Sequence, residues 1–327
     1  MYISIDETGS FREGKDLEYG LITLVSITDL EWEKLKLYLS RMYPKGWGKL
    51  KGSNINYVDR SKLIKYIGKK HEIKYTTLLF DLNFGTDERI EYHRSGQLGK
   101  LDKCINSLST SNGHPNLIND LEVMRRRLNS MSKSDYTKFI LIYELYREWM
   151  QYYQFDFINI NQKNDTWDLK HRIDNQSRAG NFKTILEDML TLTTSHLNPD
   201  YIPYSPIELK DKNHPFETKH SIVIDGHSAI DGHKIFNDLK ISNEQDDPVL
   251  LLPDLIGNTI HKSIKFRKQK VWLKLLRHLS SNRSLVMNNR HRSGKNNYYL
   301  VRGFNIDSKE SFGNRIIQEH WELMNQL

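Results

Sequence analysis

The chain opens on an alternation. Tyr2, Ser4 and Asp6 fall on one face of an extended backbone and Ile3 and Ile5 on the other, the two-residue period of a strand, with Asp6 at its end. Gly9 supplies a turn, and Leu17–Ile27 (LEYGLITLVSI), rich in β-forming residues, predicts a second strand in a hairpin with the first. From Asp29 to about Tyr43 the apolar positions Leu30, Leu35, Leu37, Leu39 and Met42 predict a helix capped by Asp29 and ended by Pro44 and Gly46. A third strand follows at Glu72–Phe80. The chain then turns polar and irregular from Asp81 to about Asp135, which reads as an insertion holding one helix, Asn119–Met131. In Tyr136–Tyr153 the residues Phe139, Ile142, Tyr143, Tyr146, Met150 and Tyr153 share one side, predicting the main helix on the sheet with Glu144 and Glu148 facing solvent. A short strand at Trp167–Asp174, a helix from about Asn181 to His196 and a proline-marked loop at Leu197–Lys219 come next. Ser221–Asp225 reads as a buried strand and Pro248 to about Lys265 as a closing helix.

This order predicts an α/β fold, a mixed sheet with right-handed crossovers and flanking helices. The expected organisation is a core over residues 1–265, interrupted by the insertion at about 81–135, and a basic C-terminal appendage over 266–327. At 327 residues, with 38% hydrophobic and 27% charged positions, the composition is that of a globular protein and excludes wholesale disorder. The single cysteine, Cys104, excludes an intramolecular disulfide or a thiolate zinc cluster and suggests a reducing compartment. No run approaches membrane-spanning length and the first residues lack the features of a secretory signal, so the expected location is cytoplasmic, away from membranes.

The net charge of +7 is unevenly spread. Leu255–Asn305 contains no Asp or Glu, whereas Lys262, Lys265, Arg267, Lys268, Lys270 and Lys274 open a cationic run that continues to Arg302. Such a stretch attracts polyanions, because each phosphate it neutralises releases condensed counterion.

Four segments carry an acid where an element starts or stops: Ile5-Asp6-Glu7, Ile173-Asp174, Ile224-Asp225 and Pro253-Asp254. Ligands of open α/β sheets gather beyond the carboxyl ends of strands, so acids at such ends can converge from distant positions. Like charges held close repel unless a cation joins them. Mg²⁺ and Mn²⁺ take oxygen ligands, and two such ions about 3.5–4 Å apart activate water and stabilise the leaving oxygen of a phosphodiester. Singly, each acid is equally a turn residue or helix cap.

Tyr2-Ile3-Ser4-Ile5-Asp6-Glu7-Thr8-Gly9 resembles the opening strand of the bacterial domain of unknown function 3800 family, whose members resemble ribonuclease H and begin with Asp-Glu-Ser-Gly. Leu251-Leu252-Pro253-Asp254-Leu255-Ile256-Gly257-Asn258 is similar to that family's Gln-Leu-Ala-Asp-Leu-Ile-Ala-Gly helix. Ile173-Asp174-Asn175-Gln176-Ser177-Arg178 is similar to its internal strand ending in Asp, and Lys49-Leu50-Lys51-Gly52-Ser53 to its Glu-Ile-Lys segment. The chain departs from the pattern at Thr8, Lys49, Leu251 and Pro253, and Lys49 removes an acid. The resemblance implies a ribonuclease H-like, metal-dependent nuclease acting on RNA or DNA by a two-metal mechanism. Asp6, Asp174 and Asp254 would bind Mg²⁺ or Mn²⁺, Glu7 or Asp225 would assist, and Lys51 with Lys262, Lys265, Arg267, Lys268 and Lys270 would hold the phosphate backbone. It also suggests a role in bacterial defence, with a partner protein of such a system or a second copy of the chain as further partners. The alternative is a nucleic-acid-binding or partner-binding protein that kept the fold and lost the chemistry.

Other constellations carry less. Asp225-Gly226-His227 is echoed by Asp231-Gly232-His233, near His214 and His220, but the spacing matches no metal motif and reads as turns with exposed histidines. Gly226-His227-Ser228-Ala229-Ile230 lacks the closing glycine of a nucleophile elbow, and neither a Walker sequence nor a glycine-rich dinucleotide fingerprint is present.

Overall fold

The computed structural model describes residues 1–9, 11, 19–44, 46–70, 72–81, 86–110, 115–156, 168–174, 182–194, 215–224, 227–242, 246–266, 269–280, 285–286, 288–289 and 298–299. In chain order the elements are β1 (Tyr2–Gly9), β2 (Tyr19–Ile27), α1 (Asp29–Met42), α2 (Tyr57–Gly68), β3 (Ile73–Asp81), α3 (Asp87–Thr110), α4 (Pro115–Ser130) and α5 (Lys133–Asp156). They continue as β4 (Lys170–Asp174), α6 (Phe182–Thr194), α7 (Pro215–His220), β5 (Ser221–Ile224), β6 (His227–Ile230), α8 (Gly232–Ile235), β7 (Lys240–Ser242), α9 (Leu251–Lys265), α10 (Lys270–Ser280) and β8 (Leu285–Val286). The chain divides into two compact units: Met1–Thr86, Lys170–Gln176 and Lys240–Leu327 form the first, and Asp87–Leu169 with Ser177–Leu239 the second.

The first unit is built on a six-stranded mixed sheet in the order β7-β4-β1-β2-β3-β8. β1, β2 and β3 are successive antiparallel neighbours, as alternation and turn predict, while β4 runs parallel to β1 and β7 parallel to β4. Central β2 is buried at all nine positions, hence its nearly continuous apolar sequence. On one face Leu21, Val25 and Ile27 of β2 join Trp32, Leu35 and Leu39 of α1, Leu63, Ile64 and Ile67 of α2, Leu255, Ile256 and Ile260 of α9, and Leu275, Leu276 and Leu279 of α10 in one buried cluster. Each such side chain removed from water contributes about 1.5–3 kcal/mol. The cap of α1 is Thr28, whose hydroxyl accepts from the Glu31 amide at 3.3 Å. Asp29, the expected cap, lies just inside the helix and pairs with the Met1 amino group and Lys170, each at 2.8 Å.

The second unit is mainly helical, with β5 and β6 as an antiparallel hairpin. Three expectations are corrected here. The stretch read as irregular holds the 24-residue α3 as well as α4; the only apolar positions that α3 buries are Ile90, Leu101 and Cys104, too sparse to announce a period. Helix α5 belongs to this unit, and among its described side chains Leu141 and Leu145 are buried as well as Phe139, Ile142, Tyr143, Tyr146 and Met150 of the expected stripe, whose last member, Tyr153, lies outside the described side chains. Glu144 is therefore not solvent-facing: it is buried and ion-paired with Arg147 at 2.6 Å. Nothing is described of the Glu148 side chain. β5 is not the expected buried strand, since Ile222 and Val223 are exposed; an apolar run alone does not reveal whether a strand is covered on both faces.

Candidate functional site

Backbone alternation decides which side chains of the sheet can meet. Asp6 pairs across the antiparallel ladder with Thr23, and Thr23 with Thr77. The parallel register that pairs Ile5 with Ile173 sets Asp174 beside Asp6 at the next position, and Asp174 pairs with Ser242. Residues in register share a face. A polar row of Ser242, Asp174, Asp6, Thr23 and Thr77 therefore crosses five adjacent strands, with about 4.8 Å between neighbours. The threonine hydroxyls lie 3.0 Å apart, and the buried Ser242 hydroxyl has no partner among the described residues. Asp6 and Asp174 are only 5% and 6% exposed. Among the described residues no hydrogen bond or ion pair engages the Asp174 carboxylate.

Helix α9 lies over this row. A Cβ on Gly257 would stand 2.7 Å from the Thr8 hydroxyl and 3.2 Å from that of Thr23, so glycine lets the helix approach the face that carries Asp6. Asp254 is three residues upstream, about 4.5 Å along the helix axis, and thus on the same side of the sheet as Asp6. Pro253 falls in the first turn of α9, where a backbone donor has no helical acceptor, and the helix runs unbroken to Lys265.

The Asp254 carboxylate also has a structural partner. The Gly52 N–H donates to its Oδ2 and the Asn258 amide to its Oδ1, tying the turn Gly52–Asn54 to α9. Arg60, wholly buried, completes that junction by donating to the carbonyls of Gly52, Ile55 and Leu255 and to the Thr259 hydroxyl. Burial lowers the Arg60 pKa while Asp254 opposes the shift. Lys262 is likewise lowered by burial and by Arg60, again opposed by Asp254, and its ammonium donates to the Ser53 carbonyl at 3.3 Å.

The expected site residues thus fare differently. Asp6 and Asp174 are neighbours, Asp254 is on their side of the sheet, and Lys51 is exposed on the turn that Asp254 holds. Glu7 alternates to the opposite face from Asp6, and its backbone N–H donates to the Asp6 carboxylate at 2.7 Å. Lys265 and Lys270 are exposed and Lys262 is half-buried. Asp225, Arg267 and Lys268 lie outside the described residues. Asp231 accepts from the Lys234 amide as the cap of α8, and the exposed His233 faces Glu187 at 3.2 Å. Sequence reasoning passed over Thr23, Thr77, Ser242, Arg60 and Gly257, although hydroxyl residues inside the apolar runs LITLVS and YTTLL were a signal.

Among the described residues no three His, Cys, Asp or Glu side chains form a ready metal cluster. The Asp6–Asp174 pair nevertheless fits a hard divalent cation, since two buried carboxylates on adjacent strands supply oxygen ligands and a negative charge that a cation relieves. Comparison with protein-family models, curated proteins and solved structures returns no match. No helix among the described residues is long and apolar enough to cross a membrane.

Proposed function

We propose that the first unit is a ribonuclease H-like, metal-dependent nuclease that hydrolyses phosphodiester bonds of RNA or DNA. The observation that carries this reading is the buried Asp6–Asp174 pair on the face covered by α9. Three antiparallel strands in chain order, with two parallel strands added outside β1, support the fold assignment. Asp6 and Asp174 would hold Mg²⁺ or Mn²⁺, with Asp254 reaching the same centre from α9. Bound there, the metal supplies an activated water and charge neutralisation at phosphorus. Lys51, Lys262, Lys265 and Lys270 hold the phosphate backbone beside the carboxylates, and the site acts without a covalent intermediate.

Labelled RNA and DNA are incubated with the purified chain in Mn²⁺ or chelator, beside Asp6→Asn and Asp174→Asn. Cleavage is expected in Mn²⁺ only, and either variant should lower it about 100-fold or more, the rate equivalent of a few kcal/mol of lost charge stabilisation. A folded Asp174→Asn chain that cuts as fast as the parent overturns the assignment. The engagement of Asp254 by Gly52 and Asn258, and the turning away of Glu7, favour the second reading of a non-cleaving nucleic-acid-binding protein. Binding without metal-dependent cleavage would select it.

A further inference from the structure

Beside the turn that carries Lys51, three aromatic rings from three segments meet. Tyr57, in the first turn of α2, stands edge-on to Trp272 of α10 with ring centres 5.6 Å apart, and its hydroxyl donates to the Val271 carbonyl at 3.4 Å. Phe266, just past α9, lies 6.2 Å from Trp272 with the rings 28° from parallel. Cations lie over the rings: the Lys262 ammonium is 5.7 Å from the Trp272 ring centre, the Arg60 guanidinium 6.0 Å, and the Lys265 ammonium 5.8 Å from that of Phe266. Tyr57, Phe266 and Val271 remain 38%, 36% and 45% exposed. Lys62, Lys65, Lys270 and Lys274 are exposed on the same helices, whereas Asp59, the one acid of α2, is already held by Asn56 and Lys62.

We propose that this shelf binds single-stranded nucleic acid, with unpaired bases stacked on Tyr57 and Phe266 and the phosphates between them held by Lys262, Lys265, Lys270 and Lys274. The proposal deepens the reading of nucleic acid as the partner and rests on it, but not on hydrolysis. An exposed ring flanked by cations suits a strand that offers both a π-face and a phosphate at every step. A duplex keeps its base faces stacked on one another and leaves the rings without a partner. A membrane surface fits less well, because the apolar side of α10, with Leu275, Leu276 and Leu279, is turned inward against α2 and α9. The Lys262 ammonium also bonds the Ser53 carbonyl, so the shelf continues into the turn tied to Asp254 and a bound strand is led toward the carboxylates.

The test uses the full-length chain in EDTA, so that nothing is cut, with fluorescence anisotropy of labelled twelve-nucleotide oligothymidine, oligouridine and a twelve-base-pair duplex. Single strands should bind more tightly than duplex. Removing a stacking ring by Tyr57→Ala or Phe266→Ala should weaken single-strand binding about tenfold each and leave duplex binding unchanged. Tyr57→Phe, which keeps the ring, should retain parental affinity and separates loss of stacking from loss of fold. Duplex bound as tightly as single strand, ring variants bound like the parent, or attachment only to anionic vesicles would each overturn the proposal. If the parent binds single strands in EDTA but never cuts in Mn²⁺, the shelf stands and the hydrolytic reading falls.

Discussion

Replacing Gly52 by alanine is expected to loosen the junction that places Lys51 against α9. The new Cβ would lie 2.5 Å from the Leu255 nitrogen and 2.7 Å from both the Leu255 Cα and the Asp254 carbonyl carbon. That is roughly 1 Å inside ordinary contact, and because every obstructing atom is backbone, no rotamer change relieves it. The turn must therefore retreat by about that distance. The Gly52 N–H then leaves the Asp254 carboxylate, and the Gly52 carbonyl leaves the buried Arg60 guanidinium. Each charged, buried group left short of a partner costs about 1–3 kcal/mol, so the substitution should destabilise the first unit by roughly 2–6 kcal/mol. At roughly 2–4 °C per kcal/mol, the melting temperature should fall by about 4–24 °C in scanning calorimetry. Gly48→Ala is the control, since nothing lies within 4 Å of the Cβ it would add, and it should be close to neutral. A Gly52→Ala chain that melts within about 2 °C of the parent would refute the close-packing argument.

Further expectations concern the carboxylates, the C-terminal helix and pH. Mn²⁺ should raise the melting temperature of the parent and not that of Asp174→Asn. A parent indifferent to Mn²⁺ speaks against the cation site. Leu279→Ala, at a fully buried position of α10, should cost about 2–5 kcal/mol in urea unfolding, and a cost below about 1 kcal/mol would mean that α10 is not part of the folded core. In the second unit, burial pushes the Asp188 carboxyl up to about 6, with Asp120 and Glu187 adding to the shift and His233 and Arg127 opposing it. The folded state then holds that proton more tightly than the unfolded chain, so stability falls as pH rises from about 4 to 6, by roughly 1 kcal/mol after screening. Burial pushes His93 down to about 4, which gives the opposite slope, with stability lost as pH falls from about 6.5 to 4. Asp188→Asn should therefore lose stability more steeply on acidification than the parent, and superimposable pH profiles would contradict this.

Much of the first unit was legible because its signals are local. The alternation in Tyr2–Asp6, the β-branched runs of β2 and β3 and the periodic apolar positions of α9 each report a burial pattern a few residues wide, and these elements stand where they were expected. Helix α3 escaped the same reasoning because it buries little apolar surface, and α5 was assigned the wrong surroundings because its polar face is buried too, with Glu144 paired to Arg147 inside the unit, which periodicity alone does not reveal.

The candidate site is divided in the same way. Residue types and local periods named Asp6, Asp174 and Asp254 as acids at the ends of elements, and they assigned Asp6 a face of its strand. Which acids become neighbours depended on pairing across the chain: β4 adds parallel to β1 in a register that brings Asp174 to Asp6, and Asp254 meets Gly52 from 202 positions away. Strand order and helix placement minimise exposed apolar area and unpaired backbone over the whole unit, a sum to which every segment contributes and which no local window contains.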